Sequence, residues 1–199
     1  MNIMTQEVQQ QMTPEEALKR LLDGNQRFLD NDRKRPDHAA QVQGTASDQY
    51  PFAAILGCID SRTPAELIFD LGIGDIFNVR IAGNVVNEDI LGSLEYACRV
   101  IGSKLILVKG HTSCGAVTAA CNQVKMGNIT ALLSKIDPAV KAFGNSPLVI
   151  DQVASENVRL NVQRIRAESE ILSQMESRGE IQIRGAMYDV ATGKVSLLD

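Results

Sequence analysis

The chain has 199 residues, 44% hydrophobic and 22% charged, and its 20 basic against 24 acidic residues leave a formal charge of −4. That is long enough for one domain whose core needs no disulfides. It is too acidic for a basic nucleic-acid binder, and no apolar run approaches the roughly 18–20 residues of a membrane span.

Residues 1–12 read as a polar, Gln-rich arm with no signal-peptide pattern, and a cytoplasmic protein is expected. Thr13-Pro14-Glu15-Glu16 is a helix start: a Thr cap, Pro at the first helical position and Glu three residues after the cap. Leu18, Leu21, Leu22, Asn25, Phe28 and Leu29 follow at helical spacing, giving one apolar face up to Asp30. Residues 31–49 read as a polar surface loop in which Arg33, Lys34, Arg35 and His38 are solvated. Residues 52–57 are a short apolar run, a buried strand. Thr63-Pro64-Ala65-Glu66 repeats the capping-box pattern and predicts a helix through Leu71, ended by Gly72 and Gly74.

Residues 76–79 read as a second strand, and Asn87-Glu88-Asp89 opens a helix with Ile90, Leu94, Ala97, Cys98 and Ile101 on one side. Residues 104–108 are a third strand, apolar enough to be buried on both faces. Gly110 to Gly115 form a turn into a helix of small residues over 116–124. A short helix near residues 129–136 breaks at Pro138. Residues 148–175 predict one long helix, and residues 181–190 and 194–198 predict two strands joined in a hairpin at Ala191-Thr192-Gly193. Strands alternating with helices mean an α/β fold: a mostly parallel central β-sheet flanked by helices, with an N-terminal helical arm (residues 1–30) and a C-terminal hairpin, in a single domain over residues 1–199.

Sites in such a sheet form beyond the carboxyl ends of the strands, and two segments put chemistry there. One is Gly57-Cys58-Ile59-Asp60-Ser61-Arg62; the other is Gly110-His111-Thr112-Ser113-Cys114-Gly115. The two-residue gap between His111 and Cys114 lets a tight turn present both to one ion, and Cys58 is the third ligand if its strand neighbours the one ending at Val108. Four cysteines in a chain of this size are too few for a disulfide scaffold and fit metal binding instead. Two thiolates and an imidazole favour zinc over magnesium or calcium. Three protein ligands leave a position open, as catalytic zinc requires, for a water whose pKa falls towards ~7. Asp60 stays ionised beside Arg62 and orients such a water; it is also available as a fourth ligand that would shut the site. Cys98 and Cys121 lie on apolar helix faces and read as core packing. Leu71-Gly72-Ile73-Gly74 lacks the third glycine of a dinucleotide fingerprint and follows a helix, and there is no P-loop.

Cys58-x-Asp60-x-Arg62 followed by Gly110-His111-x-x-Cys114-Gly115 resembles the paired motif of the β-class carbonic anhydrases. The likeness covers almost the whole chain, through Arg80-Ile81-Ala82-Gly83-Asn84, Glu95-Tyr96-Ala97 and the closing hairpin. It implies reversible hydration of carbon dioxide to bicarbonate with one zinc ion per chain. Cys58, His111 and Cys114 match the family's zinc ligands, and Asp60 and Arg62 its catalytic pair. Gln49 matches a glutamine that hydrogen-bonds substrate across a dimer interface. Phe77, Ala82 and Tyr96 match the lining of its small apolar pocket. The resemblance implies a homodimer or homotetramer, with the apolar face of the first helix available to a neighbouring subunit, and no nucleic-acid or membrane partner. Some bacterial members hold a second, inhibitory bicarbonate with a Trp, an Arg and a Tyr. Arg80 matches that Arg, but Ile55 stands where the Trp would be, the chain has no Trp, and Gln49 fits the plant-like subgroup, so no such site is expected. Two alternatives stand beside this: hydrolysis of carbon disulfide or carbonyl sulfide on the same site, and a zinc-stabilised module without catalysis, which would need a fourth protein ligand.

Overall fold

The structure, a computed structural model, describes residues 3–34, 36–143 and 146–198. Met1 and Asn2 of the arm and Arg35 of the basic trio lie outside the described residues. Five strands form one sheet in the order β2-β1-β3-β4-β5: β1 (Ala53–Gly57), β2 (Ile76–Arg80), β3 (Leu105–His111), β4 (Gln182–Tyr188) and β5 (Val195–Leu198). The first four are parallel and β5 pairs antiparallel with β4. β1 and β3 are central and buried along their whole length, which is why their sequences run apolar without alternation.

The two faces of the sheet bury different residues. Ile55, Leu105 and Leu107 pack with Leu21 of α2 (Pro14–Leu29) and Ile68 of α4 (Ala65–Ile68). Ala54, Leu56, Ile106 and Val108 pack on the other side with Leu94 of α5 (Glu88–Glu95) and Val158 and Val162 of α9 (Ile150–Glu168). A third cluster sits past the strand ends. It joins Cys58 and Cys114 to Val117 of α6 (Gly115–Cys121), Ile136 and Val153.

α2 begins as its sequence predicts: the Thr13 side chain accepts from the Glu16 N–H, and the Glu16 carboxylate accepts from the Thr13 N–H. It is not a free arm, however. Ala17, Leu18, Leu21, Gly24 and Asn25 are buried within this same chain. Asn25 donates to the carbonyls of Ile68 and Gly193 and accepts from the Val195 N–H, tying α2 to α4 and to the hairpin. The segment before it contains α1 (Gln6–Gln11), whose Gln9 is buried and donates to the Pro51 carbonyl.

Four other local expectations differ. The polar loop over 31–49 contains α3 (His38–Gly44), capped by Asp37, because Gln41 buries itself against the 72–73 turn and accepts from the Ile73 N–H. Thr63 does not cap α4; its hydroxyl donates to the Asp60 carbonyl, and α4 is a single turn ending at Ile68. Pro138 does not break a helix after α7 (Gly127–Leu133) but lies in the first turn of α8 (Asp137–Phe143), where a missing N–H costs nothing. The long helix divides at Ser169, whose backbone is extended (φ −119°, ψ 102°). The Ser169 hydroxyl donates to Glu95 at 2.6 Å and accepts from the Leu172 N–H, so it starts α10 (Glu170–Ser177).

Gly110, inside β3, lets α9 close on the sheet. A Cβ there would lie 2.6 Å from Val158 Cγ2 and 2.7 Å from Met187 Sδ. Gly110→Ala should therefore destabilise the fold by about 1–3 kcal/mol through overpacking. Adding Val158→Ala should recover part of that loss, a coupling read from the urea midpoints of the two single variants and the double variant.

Candidate metal centre

β1 and β3 are neighbours, paired in register from Ala53–Leu105 to Gly57–Lys109, so their carboxyl ends lie side by side. Cys58 follows β1 directly. His111 is the last residue of β3 itself, still paired with Tyr188, rather than part of the turn that the spacing suggested. Cys114 is the N-cap residue of α6 and makes no side-chain cap, which leaves its sulfur free. The Sγ atoms of Cys58 and Cys114 and the His111 ring nitrogen lie within 4.8 Å of one another, and all three residues are buried.

The donor set fits a soft divalent cation. His111 Nδ1 lies 2.9 Å from the Thr112 carbonyl oxygen, which can only accept, so the proton sits on Nδ1. That leaves Nε2 with a bare lone pair, buried and without a hydrogen-bond partner. An orphaned buried nitrogen beside two sulfurs is what a metal-ligating histidine looks like, with its other nitrogen held by a carbonyl. The pKa values of the two thiols are pushed apart. Cys58 is pushed to an acidic pKa, first by the hydrogen bond from Cys114, with help from the N–H groups of Gly83 and Asp60 and against the effect of burial. Cys114 is pushed up by the same bond and by burial. A divalent cation held by Cys58 and Cys114 would displace the thiol protons.

Asp60 lies beside this group rather than within it. Arg62 grips it with Nε on Oδ1 at 2.9 Å and Nη2 on Oδ2 at 2.7 Å, and the Arg62 N–H adds a third bond to Oδ1. These bonds hold the Asp60 carboxyl well below the usual carboxylate range. Asp60 Oδ2 is 3.9 Å from His111 Nε2, so the carboxylate faces the position a metal would take. Arg62 also donates to the Ser113 carbonyl at 3.2 Å and so joins the two strand-end segments.

Three further groups complete the frame. Arg80 at the end of β2 donates to the carbonyls of Cys58 and Asp60, at 2.9 and 2.6 Å. Lys109 is wholly buried under the turn, donates to the Thr63 carbonyl at 3.2 Å and lies 5.3 Å from the Tyr188 ring centre. Burial pushes its pKa down to about 8. Gly83 donates its N–H to Cys58 Sγ at 3.3 Å. A lysine inside an otherwise apolar strand was the legible signal for the second of these.

The other expected residues are not gathered here. Gln49 is exposed in the coil before Pro51. Phe77 and Tyr96 line a surface hollow on the outer edge of the sheet with Val79 and Glu88, and Ala82 lies apart from it in the turn before Gly83. His38 is exposed at the start of α3. Cys98 and Cys121 are buried in the core, and burial pushes the Cys98 thiol up to about 12.

A family model described as carbonic anhydrase matches residues 53–195. Carbonic anhydrase 2 of Mycobacterium tuberculosis is 37% identical over 196 residues, 94% of this chain and 93% of its own. The carbonic anhydrase of Mycolicibacterium smegmatis is 35% identical over 92% of this chain and 93% of its own. Among solved structures, a β-carbonic anhydrase of Aspergillus fumigatus superposes with a TM-score of 0.73 at 28% identity, covering 82% of each chain. The Coccomyxa β-carbonic anhydrase superposes with a TM-score of 0.71 at 27% identity, covering 91% of this chain and 86% of its own.

Because Arg62 is what depresses Asp60, Arg62→Leu should move the Asp60 carboxyl up towards the ordinary value of about 3.9. The stabilisation from this pair is present above that value and lost as the pH falls through the depressed folded one. Carboxyl-carbon NMR titration of the metal-free protein reads the midpoint directly.

Proposed function

This chain belongs to the β-class carbonic anhydrases, and from that premise we propose that Cys58, His111 and Cys114 hold one zinc ion per chain at which carbon dioxide is reversibly hydrated to bicarbonate and a proton. The observation that carries the zinc assignment is the buried, unpartnered His111 Nε2 on an imidazole with a ring nitrogen within 4.8 Å of both cysteine sulfurs. When bound, zinc supplies Lewis acidity that brings the pKa of water to about 7.

The chain's own residues do the rest. Two sulfurs of negative charge balance a divalent ion and keep it in a buried, otherwise neutral place. Asp60, acceptor-only while Arg62 holds it ionised, takes a hydrogen bond from the attacking water on Oδ2 and so aims its lone pair at the carbon of the substrate. Arg62 keeps both carboxylate oxygens occupied, which favours the orienting role of Asp60 over that of a fourth ligand. Gln49 donates to a substrate oxygen, and Phe77, Ala82 and Tyr96 form the apolar wall against which a molecule with no net dipole rests.

Gln49, Phe77 and Tyr96 do not converge on the metal centre within one chain, and that supports a homodimer or homotetramer in which a second copy completes the pocket. β2 is an edge strand, Tyr96 and Val100 near it are 50% and 65% exposed, and an edge of that kind is a ready surface for a second chain. Among the described residues no helix is long and apolar enough to cross a membrane, in keeping with a cytoplasmic enzyme.

Stopped-flow hydration of carbon dioxide at pH 7 and pH 8.5, on protein of measured zinc content, should be fast at both. Activity confined to pH 8.5 would mean that Asp60 leaves Arg62 for the metal at low pH. Zinc-loaded protein silent at both, yet releasing sulfide from carbon disulfide or carbonyl sulfide, would move the substrate assignment. With zinc retained, Asp60→Ala should lower the hydration rate by about 10²-fold; full activity in that variant would remove Asp60 from the mechanism.

A further inference from the structure

α9 carries two asparagines, Asn157 and Asn161, one turn apart in a face that is otherwise Val153, Ala154, Val158, Val162 and Ile165. Both are 2% exposed. A buried amide on an apolar helix face costs desolvation unless its bonds are used, and here each of the two side chains sends one bond to the segment after β2. Asn157 Nδ2 donates to the Gly83 carbonyl at 2.8 Å. Asn161 Oδ1 accepts from the Val86 N–H at 3.0 Å, and its Nδ2 braces Asn157. One turn and a half earlier, Asp151 of the same helix accepts from the N–H of Ser113 at 2.8 Å, holding that residue at φ +53° between His111 and Cys114.

Gly83 is where this reaches the site. It has φ +68°, and a Cβ on it would lie 2.7 Å from Ile136 Cδ1, so glycine is strongly favoured there. Glycine also leaves the backbone on either side of its Cα free to rotate, so the turn must be held from outside. The peptide before Gly83 Cα donates its N–H to Cys58 Sγ, and the peptide after it gives its carbonyl to the Asn157 amide, so the two bonds clamp Gly83 from both sides.

We propose that Asn157 is a positioning residue for the metal centre: by anchoring the Gly83 carbonyl it keeps the Gly83 N–H hydrogen-bonded to the Cys58 sulfur. The inference rests on the reading of Cys58 as a metal ligand. A hydrogen bond to a ligating sulfur lowers the energy of its lone pair, and loss of a bond of this kind weakens metal binding, typically by 10–100-fold.

Cobalt(II) alone, added to the full-length metal-free protein, is the probe, with zinc affinity measured by chelator competition. Asn157→Leu keeps the volume and removes the donor; Asn157→Ser is a smaller variant in case the first does not fold. Val162→Ala, a truncation of the same helix away from Gly83, is the control for lost stability. In either Asn157 variant the sulfur-to-cobalt charge-transfer band should move to longer wavelength and zinc affinity should fall about 10-fold or more, while Val162→Ala leaves both in place. An unmoved band and unchanged affinity in the Asn157 variants, or an equal change in Val162→Ala, would overturn the inference. No charge-transfer band in the parent protein would instead overturn the ligand reading on which it stands.

Discussion

Two sulfurs and an imidazole nitrogen are held within 4.8 Å of one another, out of water, with the His111 Nε2 lone pair left unsatisfied by any protein group. The surroundings answer that constraint. The Cys58 thiol is pushed towards its ionised form by the Cys114 thiol and by the N–H groups of Gly83 and Asp60. The backbone of the same turn is pinned by cations on its carbonyls, Arg80 on Cys58 and Asp60 and Lys109 on Thr63. The parallel pairing of β1 and β3 makes the arrangement possible, because it brings two strand ends to the same level with their next residues facing one place.

The site is assembled from segments far apart in the chain, and a few side chains join them. Arg62 holds Asp60 on one side and the Ser113 carbonyl on the other. Ser113 is thus gripped at both backbone groups, by Arg62 and by Asp151 of α9. α9 serves as a back plate. It closes on the sheet at Gly110, where a side chain would collide with Val158, and it reaches both the His111–Cys114 turn and the Gly83 turn. Geometry that must be held to a fraction of an ångström is held here by strand, helix and buried hydrogen bonds rather than by loops.

Local pattern alone was legible where the local energetics decided the outcome. The pattern Thr-Pro-x-Glu occurs twice. At Thr13 it closes a full capping box, since nothing else competes for those groups. At Thr63 the hydroxyl is taken by the Asp60 carbonyl, and the Glu66 carboxylate by the Asn78 amide, so the helix is one turn long. The division at Ser169 has the same origin: the bond to Glu95, 74 residues earlier in the chain, competes with helix continuation, and no window of sequence contains both partners. α3 was missed because its docking group, Gln41, is polar and leaves no hydrophobic period.

The sequence by itself determined the class of fold and the donor set. Buried parallel strands read as unbroken apolar runs, and two thiols with one imidazole at strand ends admit few chemistries. It also determined the Asp60–Arg62 pair, whose members are two residues apart and within reach of each other in a local turn. Only the tertiary structure decided that His111 belongs to the strand, that its Nε2 is the nitrogen left free, that α2 is buried within its own chain, and that Asn157, Asp151, Arg80 and Lys109 support the centre. Those facts depend on which backbone groups are left unsatisfied after distant segments pack together, and that is a property of the folded chain rather than of any stretch of it.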